Sequence, residues 1–293
     1  MKKSLLKIGR IPFSNLFPIF YMLERKCNCS KYEFIEGVPS TVNRLLRAGT
    51  IDISPSSSIE YLRHENNYTL INGHSLSSKG PIGSIFLLSK RPIQGLGSKT
   101  VFVSSQSETS VALLAIILKK FHKIDCALKP TDESLNSIVK KAEAYLSIGD
   151  DALKAAKTVT NYKLQGGSKN KNSSRVTRNS SLTYIYDLGE LWYRNTGLPF
   201  VFALWIVRKD CSTEKAELLE RFIQDLDRAK RHAMENLEEI AQALRPLLLS
   251  RNSLNITESE LISYWKKISY DFKEEHKKGL DLFKYYSGEL GLL

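Results

Sequence analysis

The amino-acid sequence predicts a two-lobed α/β protein, with a second lobe inserted into the first and a helical C-terminal region. Three observations carry this reading. Short β-type runs alternate with helical patterns over the first half, the signature of βαβ units around a mainly parallel sheet. The alternation restarts after Gly95-Leu96-Gly97. From Thr213 onward the chain reads as nearly all helix.

In order along the chain, residues 5–8 read as a strand, 17–23 as a helix, 32–35 as a strand and 41–47 as a helix. Residues 51–54 and 68–71 are further strands, and 84–88 is a longer apolar one. After the restart, 100–103 is a strand and 107–119 a helix with Val111, Leu114, Ala115 and Leu118 on one face. Residues 144–148 form a strand, 150–157 a helix, and 184–186 a strand leading into a helix over 188–195. A buried strand follows at 200–207. Near the end, Phe222, Leu226, Ala229 and Ala233 keep helical spacing, and Thr257-x-x-Glu260 is a capping box opening another helix. The apolar strands at 84–88 and 200–207 carry the chain across and back. Lobe I is therefore expected at 1–92 and 204–293, and lobe II at 93–203. One stretch breaks the pattern. Residues 165–181 hold four basic residues, no acidic ones and a single aliphatic one, Val176, so a mobile surface insertion is expected there.

Composition excludes several classes. The 293 residues are 42% hydrophobic and 25% charged, as in ordinary globular proteins. The longest apolar runs, 111–118 and 200–207, are too short to span a bilayer, so no membrane partner is expected. Lys2 and Lys3 imitate the start of a signal peptide, but Lys7 and Arg10 interrupt its apolar core and no small-residue cleavage site follows. The expected compartment is the cytoplasm. Cys27 and Cys29 are too close for an unstrained bridge, while Cys126 and Cys211 stand alone; with no nearby His, all four read as reduced and no metal is expected. The net charge of +12 is scattered and accompanies no nucleic-acid-binding motif. It suits, at most, attraction of a small anion.

Four segments concentrate short polar side chains where helices should start, and together they predict a cleft for a small anionic ligand. In the first, 9–15, Asn15 either caps the first helix or points its amide into the cleft; residue type alone favours the cap. In the second, 52–58, Pro55 suits a first helical turn, and Ser56, Ser57 and Ser58 fall where helix N–H groups lack partners. In the third, 77–84, Gly80-Pro81 marks a turn and Ser84 opens the crossing strand, facing either hinge or cleft. In the fourth, 104–110, Thr109 and Ser110 can hold a carboxylate with the free N–H groups of their helix. No nucleophile elbow, Walker loop, dinucleotide fingerprint or H-E-x-x-H zinc motif is present. His64, His74, His122, His232 and His276 all lie outside the four segments and read as surface or structural.

Taken in order, these segments carry a resemblance. Lys7-Ile8-Gly9-Arg10-Ile11 with Asn15, Gly37-Val38-Pro39-Ser40, Asn43-Arg44-Leu45-Leu46, Ile51-Asp52-Ile53-Ser54-Pro55, Ser58-Ile59-Glu60-Tyr61, Glu108-Thr109-Ser110 and Ile148-Gly149-Asp150 resemble the menaquinone-biosynthesis family of the futalosine route. The most distinctive run is Tyr186-Asp187-Leu188-Gly189-Glu190-Leu191-Trp192-Tyr193, followed by Gly197-Leu198-Pro199-Phe200. The match runs from residue 5 to about 245. It departs from the family at Phe13-Ser14, where an aromatic-leucine pair is common, and at 165–181.

The resemblance implies the fold of type-II periplasmic binding proteins and one of two activities. One is dehydration of chorismate to 3-[(1-carboxyvinyl)oxy]benzoate, a hydro-lyase reaction without a cofactor. The other belongs to a relative that processes a cyclic dehypoxanthinyl futalosine intermediate and carries histidine at the glycine of the I-G-D motif. Gly149 holds that position here, which implies the dehydratase. A non-catalytic small-anion binder of the same fold is the remaining alternative. On the dehydratase reading the partner is a small dicarboxylate, chorismate. Ser56, Ser57, Thr109 and Ser110 would then clamp its carboxylates, with Arg10 adding charge if it turns inward and Gly149 and Asp150 lining the site. Asn15 and Ser84 would orient the enolpyruvyl carboxylate, itself the proton acceptor, or bond to the departing hydroxyl.

Overall fold

The computed structural model describes residues 5–164, 184–250 and 255–293. The insertion expected at 165–181 lies outside them. Four strands come first: β1 (Leu6–Arg10), β2 (Tyr32–Glu36), β3 (Ile53–Ser57) and β4 (Tyr68–Ser78). The next five, β5 (Ile85–Ser89), β6 (Thr100–Ser104), β7 (Ala127–Thr131), β8 (Ala144–Ile148) and β9 (Tyr184–Asp187), build a second sheet. β10 (Phe200–Arg208) then returns to the first. The two sheets have the orders β2-β1-β3-β10-β4 and β7-β6-β8-β5-β9. This is an α/β fold of periplasmic-binding-protein type, with the second lobe inserted and a helical C-terminal region.

Strand register moves the lobe boundary. β5 pairs antiparallel with both β8 and β9, so it belongs to the second sheet, and the chain leaves the first lobe at 79–84 rather than after residue 92. All of β10 pairs within the first sheet, so the return comes before residue 200 rather than at 204. A second difference is β7 with the following helix, neither of which the hydrophobic pattern reveals. β7 is a sheet edge with Pro130 in it, and its side chains are half-buried or exposed, so it lacks the apolar alternation that marks other strands.

Helices of the first lobe are α1 (Phe17–Lys26), α2 (Pro39–Arg47) and α3 (Ser58–Arg63); those of the second are α4 (Glu108–Ile116), α5 (Leu135–Lys141), α6 (Gly149–Leu164) and α7 (Leu188–Thr196). The helical end comprises α8 (Lys209–Glu214), α9 (Ala216–Glu235), α10 (Leu237–Ser250), α11 (Glu258–Trp265) and α12 (Glu274–Glu289). On α9 the spaced residues Phe222, Leu226, Ala229 and Ala233 are all buried, against α1. The capping box at Thr257 and Glu260 forms as the sequence spacing predicts and starts α11. Trp192 of α7, Phe200 of β10 and Phe283 of α12 stack edge to face, with ring centroids 5.1 Å and 5.0 Å apart along the series. Burying rings of this size contributes roughly 2–3 kcal/mol each, and the cluster ties elements of both lobes to the C-terminal helix.

Strand directions place the site. β1 and β3 are parallel, β10 runs against β3, and β4 runs against β10, so Arg10, Ser57, Ser78 and Phe200 share one edge. In the second sheet β6 and β8 are parallel and β5 runs against β8, so Ser104, Ile148, Asp187 and Ile85 share one edge. The segments 79–84 and 188–199 join these two edges directly. The polar strand ends of the two lobes therefore face each other, at the carboxyl ends of the parallel strands, where open α/β sheets bind ligands.

Candidate active site between the lobes

Gly9 closes β1 against its neighbours: a Cβ there would come within 2.8 Å of Ser54, Val42 and Ile51 side chains. Arg10 does not turn inward. Its guanidinium pairs with Glu24 at 2.6 Å and Glu36 at 3.6 Å and lies 5.4 Å over the Phe20 ring, so two carboxylates and an aromatic face hold it away from the site. Asn15 does not cap α1 either. Leu16 occupies the cap position without a side-chain bond, and Pro18 in the first turn removes one of the donors a cap would serve. The Asn15 Oδ1 is buried and has no partner among the described residues.

The loop carrying Asn15 is gripped by its backbone from a distant part of the chain. Trp265 Nε1–H donates to the Ser14 carbonyl at 2.8 Å, and the Tyr270 hydroxyl donates to the Asn15 carbonyl at 2.6 Å. From the other lobe, Asp150 accepts the Ser14 N–H at 3.1 Å. Burial pushes the Asp150 carboxyl above its ordinary range, against the opposing pull of its bonds to Ser14. The motif match stops near residue 245, so sequence reasoning missed Trp265 and Tyr270; the signal available was only their aromatic character at the end of a capped helix.

Pro55 lies inside β3 rather than in a helical turn, which corrects the reading of the second segment. β3 pairs with β1 only at Ile53, so on that side Pro55 lies beyond the ladder, while on the other side it stands opposite Trp205 of β10. The helix starts three residues later, at Ser58. Ser54 and Ser56 are buried in the strand with no hydroxyl partner among the described residues. Ser57 Oγ accepts from Asn43 Nδ2 at 2.8 Å, and Ser58 Oγ donates to the Val201 carbonyl at 2.6 Å.

In the second lobe, Ser107 caps α4. It accepts the Ser110 N–H at 3.3 Å and donates to Ser110 Oγ at 2.9 Å. Thr109 Oγ1 accepts the Ile59 N–H of the first lobe at 3.1 Å. A hydroxyl has one proton to give. Ser57, Thr109 and Ser110 therefore share a property: each accepts from the protein, and among the described residues none of the three donates. Asn43 stands in one of the resembling motifs and Ser107 in the fourth polar segment, but the sequence assigned neither of them this orienting role.

Ser84 and Gly149 meet at the hinge, the Gly149 N–H donating to the Ser84 carbonyl at 2.8 Å. Gly149 has φ +62°, and a Cβ on it would lie 3.2–3.3 Å from the Phe13 ring. A larger residue there needs both a left-handed backbone and a displaced phenyl ring. Asp187, in the most distinctive motif but without an expected role, staples the crossing. Its carboxylate accepts from Ile82 N–H at 3.0 Å, Gly83 N–H at 2.7 Å and, as cap of α7, Glu190 N–H at 3.1 Å. Burial nonetheless raises its pKa. Gly189 lets α7 approach this segment; a Cβ there would sit 2.6 Å from the Gly80 carbonyl oxygen.

Among the described residues no group of three or more His, Cys, Asp or Glu side chains is placed to hold a metal ion, and no helix is long and apolar enough to cross a membrane. The four cysteines are free.

Known proteins place this arrangement in context. Residues 6–289 match a family model described as menaquinone biosynthesis. The chain is 28% identical to a chorismate dehydratase of Thermus thermophilus over 285 residues, covering 94% of this chain and 93% of that one. Among solved structures, protein AF1704 from Archaeoglobus fulgidus superposes with a TM-score of 0.76 at 16% identity, over the whole of both chains. The alkanesulfonate-binding protein SsuA from Xanthomonas axonopodis pv. citri, bound to MOPS, gives 0.62 at 14% identity, over 100% of this chain and 95% of that one.

Proposed function

The chain belongs to the menaquinone-biosynthesis family, and we propose that within it this protein is a chorismate dehydratase, eliminating water from chorismate to give 3-[(1-carboxyvinyl)oxy]benzoate in the cytoplasm. The observation that carries the reading is the direction of the hydrogen bonds at the facing edges. Ser57, Thr109 and Ser110 each accept a hydrogen bond, from Asn43, Ile59 and Ser107, and donate none among the described residues, which leaves their O–H groups to donate. A carboxylate only accepts. An array of oriented donors shared between two lobes suits a dicarboxylate, and it is set before the ligand arrives.

Chorismate becomes aromatic on losing its C3 proton and C4 hydroxyl, so the protein's task is to select this route over rearrangement. The clamp fixes both carboxylates. The enolpyruvyl carboxylate, close to C3, takes the proton, and the Asn15 amide orients it. Ser84, buried at the hinge, bonds to the departing oxygen. Arg10, paired elsewhere, has no part. Gly149 supports this chemistry over that of the histidine-bearing relative, because Phe13 fills the space a side chain would need.

Incubation of the protein with chorismate, followed by mass and absorbance analysis, tests the proposal. The dehydrated aromatic product is expected. Chorismate recovered unchanged from a tight complex would favour a binding protein instead.

A further inference from the structure

Tyr264, at the end of α11, is used by nothing described so far. The residue is 4% exposed, and its hydroxyl oxygen is buried with no hydrogen-bond partner among the described residues. Leaving a buried O–H unbonded costs roughly 1–3 kcal/mol, which a phenylalanine would avoid. Its ring packs on the crossing segment, where a Cβ on Gly83 would lie 3.5 Å from Tyr264 Cδ2. Beside it are the Ser84 side chain, which lowers its pKa as a hydrogen-bonding neighbour without completing a bond to it, and the carboxylates of Asp150 and Asp187; Ser84 and Asp150 belong to the site. The neighbouring aromatics of this segment have other tasks, since Trp265 and Tyr270 bond to the Ser14 and Asn15 carbonyls. Burial raises the Tyr264 pKa far above that of an ordinary phenol, so it stays protonated and acts only as a neutral donor or acceptor.

We propose that Tyr264 is a further substrate-contacting residue, donating its O–H to the C4 oxygen of chorismate beside Ser84; this rests on the dehydratase reading. In the elimination the C3–H bond breaks and its proton passes to the enolpyruvyl carboxylate. The C3–H pair becomes the C3–C4 double bond, and the C4–O bond breaks with its pair on oxygen. Tyr264 and Ser84 stabilise that developing hydroxide without giving up their protons. The proton on the carboxylate then converts it to water.

The product lacks the C4 oxygen, and this gives the test. In an Asn15→Ala background, which holds turnover off, calorimetry measures binding of chorismate and of 3-[(1-carboxyvinyl)oxy]benzoate with and without Tyr264→Phe. A loss of about tenfold for chorismate and less than twofold for the product is expected, the size of one hydrogen bond. In the otherwise unaltered enzyme, kcat should fall about ten- to a hundredfold with the melting temperature unchanged or raised. Equal weakening of both ligands, or an unaltered kcat, overturns the assignment. Should Tyr264→Phe fail to fold, Tyr264→Met serves with the same criteria. Failure of the unaltered protein to dehydrate chorismate overturns the dehydratase reading and this assignment together, whereas an active protein indifferent to Tyr264→Phe overturns this assignment alone.

Discussion

The crossing between the lobes and the paired starts of α3 and α4 are built from the same short polar side chains, yet they are wired in opposite directions. At the crossing, Ser78 Oγ donates to the Gly80 carbonyl at 2.9 Å and Asp187 gathers three N–H groups. The Ser78 hydroxyl and the Asp187 carboxylate are both answered within the chain. At the helix starts, Ser57, Thr109 and Ser110 are held by bonds they accept, and their donors remain open. Ser58 shows how local the difference is: one residue after Ser57, its hydroxyl is spent on Val201. Residue type does not separate structure from site here; the direction of the bond does.

If that distinction holds, substitutions at Ser78 and Asp187 should cost stability, and those at the helix starts should cost substrate recognition. The largest effect is expected from Asp187→Ala. It leaves buried N–H groups of Ile82, Gly83 and Glu190 without their acceptor, and a loss of about 3 kcal/mol or more should appear in chemical denaturation. Thr109→Val should instead lower kcat/KM for chorismate about ten- to a hundredfold, chiefly through KM, by removing a donor to a carboxylate. Its own stability loss should be smaller, since only the Ile59 N–H is deprived. Should Thr109→Val unfold the protein as readily as Asp187→Ala, the comparison would break.

Gly149→Ala falls between the two classes, because it strains a left-handed backbone and presses on Phe13 at once. A stability loss of about 1–2 kcal/mol is expected, and thermal melts would read it. Ser78→Ala should cost about 1 kcal/mol with kcat/KM unchanged, the simplest check that the Ser78 hydroxyl is structural.

The smallest effect concerns pH. Burial, with help from the nearby Lys230, lowers the pKa of His74, although Asp227 lies 2.8 Å from its Nε2. Below the ordinary histidine value of about 6.5 the unfolded chain therefore takes up a proton that the native protein refuses. Stability from this group is complete above that pH and is lost as pH falls. His122 and His276 are lowered in the same direction, so His74→Leu should flatten the decline in melting temperature between pH 7.5 and 5.5 only partly.

Much of the fold was legible because βαβ alternation, the apolar strand at β10 and the capping box of α11 are local patterns. Elements with weak burial were not: β7 is an exposed edge, and α3 is a single short helix directly after a strand containing proline. The site was legible as a set of polar segments, but not in its wiring. Arg10 could be judged only once α1 had brought Glu24 to it. Trp265 and Tyr270 reach Ser14 and Asn15 across some 250 positions of chain, a separation at which no spacing rule operates. The roles of Asn43 and Ser107 depend on which way a hydroxyl proton points, which composition does not encode.

Side-by-side turnover of chorismate by the unaltered protein and by Asn15→Ala tests the central claim most directly. The Asn15 carbonyl is anchored by Tyr270, and its side-chain amide makes no hydrogen bond among the described residues, which leaves its N–H groups to donate to the substrate carboxylate; the account predicts a hundredfold or greater loss of product formation, about 2.7 kcal/mol in the barrier, with an unchanged melting temperature. Full activity in Asn15→Ala, or a collapse of its stability in place of its rate, would contradict it.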